Sequence, residues 1–440
     1  MSRNDDGSRD GGPRDDAGDR THRTAATGAD TAGTADGTDA PPPEAGEDPL
    51  LSVRGLKTYF DTEAGVVRAV DGVSFDVDRG ETVCIVGESG SGKTVACESI
   101  TRILDTPPGR IAGGEVWFDG EDLASASERR LQRIRGGRIG HVFQNPQGAL
   151  NPVYTVGDQI IEAVRLHSDR SRREARERAV DLLDRVGIPE AAARVEDYPH
   201  EFSGGMKQRV VLAMALAADP DLLIADEPTT ALDVTIQAQI LRLLGEIQAE
   251  FGMSIVFVTH DLGVVAQIAD RVVVMYAGTV MERGDVYELF ESAGHPYTRA
   301  LLRCLPGRGS VTEAIGGALP DPIDPPAGCR FHPRCPHAVR DCEVGDQPDL
   351  LPVAGSADGG DGDGVIESGH RASCVYYGPG YDASVVRGAT LGADGPGGDG
   401  ESPESGGGDR TTGEGPADRD GSAAGVEASP FDPRDDGGEE

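Results

Sequence analysis

Residues 87–94 read GESGSGKT, and residues 82–86 before them read TVCIV, an apolar run between a glutamate and a glycine. The spacing G-x-x-x-x-G-K-T is typical of a loop that binds nucleotide phosphates between a strand and a helix. Its glycines let backbone N–H groups converge on phosphate oxygens, while the helix N-terminus adds partial positive charge. The sequence therefore predicts a strand at 82–86, a helix that begins at Lys93, and a nucleoside triphosphate bound between them.

The side chains of this loop suggest separate roles. Lys93 should reach the β- and γ-phosphates, and the hydroxyl of Thr94 should bind Mg²⁺. The residues that we expect to hold the nucleotide are Gly87, Ser89, Gly90, Ser91, Gly92, Lys93 and Thr94. On its own, the loop establishes only that the protein handles a nucleoside triphosphate.

A second motif, LLIADE at residues 222–227, is an apolar run that ends in two carboxylates. A strand that ends beside the phosphate loop would present Asp226 to Mg²⁺, usually through water, and Glu227 to the attacking water. Apolar runs followed by two acids are common in proteins. The functional interpretation of this one therefore depends on the complete phosphate loop.

Strand-like and helix-like segments alternate around these motifs. The runs at 222–225 and 254–259 fit buried parallel strands of an α/β sheet. Residues 51–59 and 69–77 look like strands of a sheet that precedes the loop, and residues 114–119 could pair with them. The predicted fold class is α/β, and the pattern resembles a P-loop NTPase (RecA-like) core with an antiparallel β subdomain.

A helical subdomain is predicted within this core, because apolar residues recur at about 3.6-residue spacing in 156–166 and 176–186. Gly187 fits a helix C-cap. A Pro- and Cys-rich stretch near the C-terminus is predicted to form a small, separate appendage. The predicted domains are a disordered acidic N-terminal tail (1–48), a nucleotide-binding domain (49–305) with its helical subdomain at about 145–215, a C-terminal region (306–380) and a disordered acidic C-terminal tail (381–440).

The composition is strongly acidic, with a formal net charge of −35 over 440 residues and only three lysines against 38 arginines. Residues 1–48 carry −7 and residues 381–440 carry −11, which leaves −17 on the part expected to fold. Such a surface repels nucleic acid, so a nucleic-acid partner is not expected. Dense like charge suits a cytoplasm of high salt, where screening acts over a few ångströms, and the alternative is an ordinary acidic protein.

The sequence also bears on how the protein would meet a membrane. No stretch offers the roughly 18 or more uncharged apolar residues that a membrane span requires. The acidic N-terminus fits neither a signal peptide nor a basic transit sequence. If the protein works at a membrane, other subunits are expected to hold it there.

A third motif, FSGGMKQR at residues 202–209, narrows the class of nucleotide-binding protein. Ser203, Gly204 and Gly205 stand at the start of a predicted long helix and would form a second helix N-terminus that faces phosphate. In isolation, the serine would be interpreted as an ordinary N-cap. Together with the earlier motifs, this sequence resembles the signature of ABC ATPases, and residues 50–306 resemble an ABC transporter nucleotide-binding subunit.

The resemblance implies roles for further residues. Gln144 resembles the Q-loop glutamine, which contacts Mg²⁺ and senses the transmembrane partner, and Asp233 resembles the aspartate of the D-loop. His260 resembles the switch histidine that contacts the γ-phosphate. Tyr59 resembles the aromatic residue that stacks on adenine, although its neighbour Phe60 is a competing choice.

The resemblance also implies how the ATP site is completed. In this family two ATPase subunits face each other head to tail, and each ATP lies between the phosphate loop of one and the signature helix of the other. Residues 203–205 would therefore act on the nucleotide of a second ATPase subunit, which in this branch is usually a related paralogue. Catalysis would rest on Glu227, His260 and Lys93.

Several stretches resemble the ATPase subunits of dipeptide and oligopeptide importers: GESGSG at 87–92, NP at 145–146, TTALDVT at 229–235 and HPYT at 295–298. The implied partners are two transmembrane permeases and an extracytoplasmic solute-binding protein, with the ATPase peripheral on the cytoplasmic face of the membrane. Nickel importers share this pattern, so nickel or another solute is the alternative cargo. A non-transport ABC ATPase is disfavoured by the acidic surface, the short helical insert and the single cassette.

Four cysteines fall in the C-terminal appendage, with 5, 6 and 31 residues between them: Cys329, Cys335, Cys342 and Cys374. Disulfides are rare in the cytosol, and a Cys₄ metal site would give a Pro-rich segment the core that it lacks. Zinc ribbons pair their cysteines more closely. The flanking RFHPRCP sequence resembles the iron–sulfur-binding tail of this importer branch, which implies a [4Fe–4S] cluster, with zinc or no metal as alternatives.

Overall fold

The computed structural model describes residues 49–144, 148–230, 232–305, 315–353 and 369–387. The tail predicted at 1–48 and residues 388–440 of the tail predicted at 381–440 lie outside the described residues. So do Ala231, in the predicted D-loop, and the Asn145-Pro146 pair.

Two β-sheets organise the described part of the chain. Its strands are β1 (Leu51–Thr62), β2 (Gly65–Val77), β3 (Thr82–Val86), β4 (Gly109–Phe118), β5 (Glu121–Asp122), β6 (Ile139–Val142), β7 (Leu222–Asp226), β8 (Ser254–Thr259), β9 (Arg271–Tyr276), β10 (Thr279–Asp285), β11 (Leu351–Pro352) and β12 (Arg371–Ala372). The larger sheet has the order β11-β12-β10-β9-β3-β8-β7-β6, and the smaller has the order β2-β1-β4-β5.

The two sheets differ in strand direction. Strands β9, β3, β8, β7 and β6 run parallel, whereas β10 to β12 and the whole smaller sheet pair antiparallel. In a parallel sheet the carboxyl ends of the strands meet at one edge, where ligands bind. The segments after β3, β7 and β8 are therefore brought together at that edge.

Helices cover the larger sheet and form the predicted helical subdomain between β6 and β7. They are α1 (Lys93–Ile100), α2 (Glu128–Ile134), α3 (Val156–Leu166), α4 (Arg172–Arg185), α5 (Ala191–Arg194), α6 (Gly204–Ala215), α7 (Val234–Phe251), α8 (Leu262–Ile268), α9 (Val286–Ser292), α10 (Pro296–Arg303) and α11 (Ser384–Arg387), with 3₁₀ turns at Pro199–Glu201, His332–Arg334, Arg340–Cys342 and Val375–Tyr377. None of the helices in these ranges has the length and hydropathy that crossing a bilayer demands.

Successive side chains of β3 belong to two different hydrophobic clusters, one on each face of the larger sheet. Val83 and Ile85 pack with the smaller sheet and α1, whereas Cys84 and Val86 pack with the helices on the opposite face. All four side chains are at most 1% exposed. A strand that is buried on both faces must be apolar throughout, which is why this run could be recognised from the sequence.

Two sequence-based boundaries differ from the structure. The helix predicted at 176–186 begins at Arg172, because Ser171 and Glu174 form a capping box that precedes the apolar repeat. Residues 381–387, expected in a disordered tail, include helix α11, whose Val386 is buried in a cluster with Cys374 and Tyr376. The ordered chain therefore extends beyond the predicted boundary at 381.

Candidate ATP-binding site

The phosphate loop connects β3 to α1, and its backbone has no room for side chains at two positions. Gly87 and Gly92 have φ angles of 154° and 97°. A Cβ atom at Gly87 would lie 2.1 Å from the carbonyl oxygen of Met275, and one at Gly92 would lie 2.2 Å from that of Ala69. The loop is thus pressed against neighbouring backbone on two sides, which fixes its curvature.

Lys93 lies inside the curve of this loop. Its Nζ donates hydrogen bonds to the carbonyl oxygens of Gly87 (2.9 Å) and Glu88 (3.0 Å), and the residue is 5% exposed. Burial lowers the pKa of Lys93, while Glu227 and Asp226 oppose that shift. The nearby hydroxyl of Ser91 is buried and has no hydrogen-bond partner among the described residues. The loop therefore holds a lysine and a hydroxyl that a phosphate could engage.

Asp226 ends β7 beside the start of α1. Burial raises the pKa of its carboxyl group, although a hydrogen bond from Thr94 lowers it. Its Oδ1 is buried without a partner in the described part of the chain. An orphaned carboxylate oxygen beside a hydroxyl offers the oxygen donors that Mg²⁺ prefers, so the residues present fit that ion.

Glu227 makes hydrogen bonds with three other polar side chains of the site. Its Oε2 accepts hydrogen bonds from Gln144 Nε2 and Thr230 Oγ1, both at 3.0 Å, and its Oε1 lies 3.2 Å from His260 Nδ1. Burial alone would raise the pKa of Glu227, but the hydrogen bonds from His260, Gln144 and Thr230 lower it. The carboxylate therefore stays ionised at neutral pH, and the three side chains that contact it fix its orientation.

Tyr59 has partners of its own. Its hydroxyl donates to Asp71 Oδ1 at 2.6 Å, and the guanidinium of Arg110 lies over its ring, 5.5 Å from the centroid. Burial and the bond to Asp71 raise the pKa of Tyr59 to about 12. Tyr59 and Phe60 are both half-buried, so Tyr59 remains the predicted adenine-stacking ring and Phe60 its alternative.

The signature and D-loop residues bond within their own helices. Ser203 Oγ caps α6 by accepting from the N–H of Met206 at 3.3 Å, and Asp233 caps α7 through the N–H of Ile236 at 3.0 Å. A Cβ at Gly205 would lie 2.8 Å from the side chain of Ile236. In the described part of the chain, no hydrogen bond joins Ser203 or Asp233 to the phosphate loop.

The four C-terminal cysteines lie in a common electrostatic neighbourhood. Cys329, Cys342 and Cys374 are buried, and Cys335 is half-buried. Burial, with smaller contributions from neighbouring thiols, raises the pKa of Cys329 and Cys374 to about 12 and that of Cys335 to about 11. Among the described residues, however, no three His, Cys, Asp or Glu side chains converge to hold a metal. The geometry therefore does not support the predicted iron–sulfur cluster.

Sequence reasoning missed two residues that touch the phosphate loop. Tyr297 Oη accepts a hydrogen bond from the N–H of Glu88 at 2.9 Å, and Arg334 Nη1 lies 3.0 Å from Glu88 Oε2. Both follow the loop by more than 200 residues. The HPYT and HPRC stretches signalled them only through resemblance, because no local pattern predicts a contact at that separation.

Comparison with known proteins accords with this arrangement. Residues 70–230 match the family described as ABC transporter, and residues 281–342 match the oligopeptide/dipeptide transporter C-terminal region. A "putative peptide import ATP-binding protein" of Brucella melitensis is 53% identical over 68% of this chain and 93% of its own length. The oligopeptide transport ATP-binding protein OppD of Bacillus subtilis is 52% identical over 66% of this chain and 82% of its own length. The dipeptide transport ATP-binding protein DppD of Escherichia coli is 48% identical over 74% of this chain and 96% of its own length.

The fold and the site define a P-loop ATPase of the ABC type. The chain belongs to the ABC transporter family, in the group of ATP-binding proteins that contains these relatives. It is an ATPase that uses ATP and Mg²⁺, and membership implies transmembrane permeases as partners.

Proposed function

We propose that this protein hydrolyses ATP to energise the import of dipeptides or oligopeptides across the cytoplasmic membrane. The observation that carries the proposal is the match of both the ATPase segment and the C-terminal region to importers whose names specify peptides. The partners would be a related second ATPase subunit, two permeases and an extracytoplasmic solute-binding protein. The chain would be peripheral, on the cytoplasmic face. The alternative cargo is nickel or another solute, which the permeases and binding protein would select.

The chemistry of hydrolysis can be assigned to side chains already described. The phosphate loop would hold the β- and γ-phosphates, with the Lys93 ammonium and the Ser91 hydroxyl as donors. Thr94 and Asp226, with Gln144, would bind Mg²⁺, which when bound neutralises charge on the phosphates. Glu227 would orient the attacking water, and His260, already within 3.2 Å of that carboxylate, would contact the γ-phosphate.

A second subunit would complete the site. Ser203 and its two glycines form the start of α6, where the Ser203 hydroxyl accepts from the N–H of Met206, and a helix N-terminus favours phosphate. In the family arrangement this terminus faces the partner's ATP. Closure of two subunits around ATP would switch the permeases from inward- to outward-facing, and hydrolysis would reset them.

The variant Glu227→Gln tests this assignment. The amide keeps the size of the side chain but cannot polarise water as a carboxylate does, so ATP binding should persist while turnover falls by about 100-fold or more. We expect gel filtration with ATP and Mg²⁺ to show a stable closed dimer of ATPase subunits. A variant that hydrolyses ATP at nearly the wild-type rate would show that Glu227 lacks this role. Peptide-stimulated ATPase activity of the purified importer tests the cargo.

The iron–sulfur cluster is a separate part of the proposal. Its support is the presence of four cysteines, Cys329, Cys335, Cys342 and Cys374, the first three of which add to the effect of burial in raising the pKa of Cys374. Because their present positions do not form a ligand set, the side chains would have to draw together on binding. Anaerobic purification followed by iron, sulfide and zinc analysis tests this: a cluster requires about four irons per chain, and a preparation without metal rules it out.

The charge of the chain supports one further proposal, that the protein works in a cytoplasm of high salt. The net charge of −35 is distributed along the chain, with −7 on residues 1–48, −11 on residues 381–440 and −17 on the residues between them. Self-repulsion of this kind destabilises a compact state unless counterions screen it.

A further inference from the structure

The 3₁₀ turn His332–Arg334 brings Arg334 into the ATP-binding region. Besides the ion pair with Glu88 Oε2, its guanidinium donates to Tyr276 Oη at 3.2 Å and to the carbonyl oxygens of Ile315 (3.0 Å) and Gly316 (2.8 Å). The side chain is 5% exposed and lies over the Tyr276 ring. Arg334 therefore has a single fixed orientation, and one of its partners belongs to the phosphate loop.

Glu88 is held through its backbone as well as its carboxylate. The Tyr297 hydroxyl that accepts from the Glu88 N–H belongs to a fully buried ring. That ring packs against Tyr276 and Phe331, with centroid distances of 4.7 Å and 5.3 Å. Both bonds to Glu88 thus come from the region that follows β10, and an aromatic cluster fixes one of them.

A second arginine of the same segment braces the loop indirectly. Arg330 donates to the carbonyl oxygen of Ala277, in the turn between β9 and β10, and pairs with Asp71. The next residue of that turn, Gly278, donates its N–H to the carbonyl oxygen of Ser91 at 2.9 Å. The segment 329–335 therefore contacts the phosphate loop at Glu88 and supports the turn that holds Ser91.

We propose that Arg334 is a positioning residue for ATP binding, which acts by fixing Glu88 and with it the curvature of the phosphate loop. The inference rests on the proposed ATPase function. The loop binds phosphate through backbone N–H groups, whose directions depend on the loop's conformation. Loss of the Arg334 contact should release the loop into other conformations and lower ATP affinity more than it lowers turnover of bound ATP.

The test compares variants of the full-length chain in ATP titrations, and in steady-state hydrolysis by the purified importer complex. Arg334→Gln should raise the Kd and KM for ATP by about tenfold, with a smaller effect on kcat, because a charge-assisted hydrogen bond is lost. Arg334→Lys should be intermediate, since lysine can pair with Glu88 but cannot also span the two carbonyl oxygens. Arg340→Gln, the same change at an exposed arginine of this region, is the matched control and should behave as wild type.

Tyr297→Phe provides an independent variant if Arg334→Gln fails to fold. It keeps the aromatic packing, removes only the acceptor for the Glu88 N–H, and should likewise raise the KM for ATP. If Arg334→Gln folds and binds ATP as tightly as Arg340→Gln, the inference is overturned. If Arg334→Gln fails to fold, an unchanged KM in Tyr297→Phe overturns it. A wild-type chain that neither binds nor hydrolyses ATP would instead refute the proposed function.

Discussion

Glu227 has a φ angle of 46°, a left-handed conformation that few residues other than glycine adopt. Its N–H donates to the carbonyl oxygen of Val258 at 2.9 Å, and three side chains bond its carboxylate. Such strain persists only where the surroundings over-determine the conformation, as they often do at active sites. Here the strained backbone turns the carboxylate away from β7 and toward Gln144 and His260.

Gly92 offers a direct test of how closely the phosphate loop is packed. We expect Gly92→Ala to lower ATP affinity by at least about tenfold, because its Cβ would meet the Ala69 carbonyl oxygen at 2.2 Å and neither group is a flexible side chain. The measurement is the Kd for ATP by calorimetric titration.

Gly245→Ala is the matched control for that substitution. Gly245 lies in α7, where a Cβ atom would meet no described atom within 4 Å other than its chain neighbours and the backbone of its own helix. Alanine there should leave ATP affinity unchanged and stabilise the helix by about 1 kcal/mol. Equal ATP affinity in the two variants would mean that the loop tolerates the added carbon.

At the scale of elements, local signals determined what could be predicted. The runs that became β3 and β8 were recognised at their full bounds, because each contains four consecutive apolar residues, VCIV and IVFV, between polar residues or glycine. By contrast, β6 (Ile139–Val142) places Gly140 and His141 between its two apolar ends, and no periodicity marks it. Its strand conformation depends on pairing with β7, a contact from 83 residues away in the register Ile139↔Leu222.

The residues of the candidate site likewise differ in whether a local sequence pattern could predict them. The phosphate loop, the two carboxylates at the end of β7 and the histidine after β8 accompany strands that the sequence predicted. Arg334 and Tyr297 could not be derived from local pattern, because their partner Glu88 lies 246 and 209 positions away. Tertiary packing alone places them beside the loop.

The start of α10 gives the protein a pH-dependent element. His295 Nδ1 accepts from the N–H of Tyr297 at 3.1 Å, and burial lowers the pKa of His295 to about 4, against smaller opposing effects that include Glu282. Between about pH 6.5 and 4 the unfolded chain binds a proton at this ring that the folded protein excludes. The free energy of unfolding therefore falls as the pH decreases through this window.

We expect wild type to lose about 2 kcal/mol more stability between pH 7 and pH 5 than His295→Asn, whose amide can cap the helix without titrating. Chemical denaturation at several pH values measures the difference. His200→Asn, at an exposed histidine, is the control and should follow wild type. Parallel pH profiles for wild type and His295→Asn would contradict the assignment.

At the scale of the whole molecule, repulsion among acidic residues competes with many arginine ion pairs. Most of these pairs are partly exposed, for example Arg173–Glu177 with side chains 79% and 63% exposed, and such pairs contribute little. Salt screens both effects, but the net charge of −35 makes the repulsive contribution the larger.

We therefore expect the free energy of unfolding to rise between 0.1 M and 2 M KCl. Denaturation in urea, which adds no ions, measures this change. Sucrose at matched osmolality is the control, because it stabilises compact states without screening charge. Lower stability at 2 M KCl would show that the ion pairs outweigh the repulsion.

The edge of β10 has a consequence for the nascent chain. Its neighbour β12 lies about 90 residues later in the chain. Because translation adds about 5–20 residues per second, the edge of β10 stays unpaired for roughly 5–20 s during synthesis. During this interval the open strand carries the carboxylate of Glu282, which His370 contacts once that residue has been synthesised. A charge on an open strand discourages pairing with other chains. Glu282, whose carboxylate in the folded protein also accepts from the N–H groups of Gly294 and His295, would therefore protect the chain while translation is still under way.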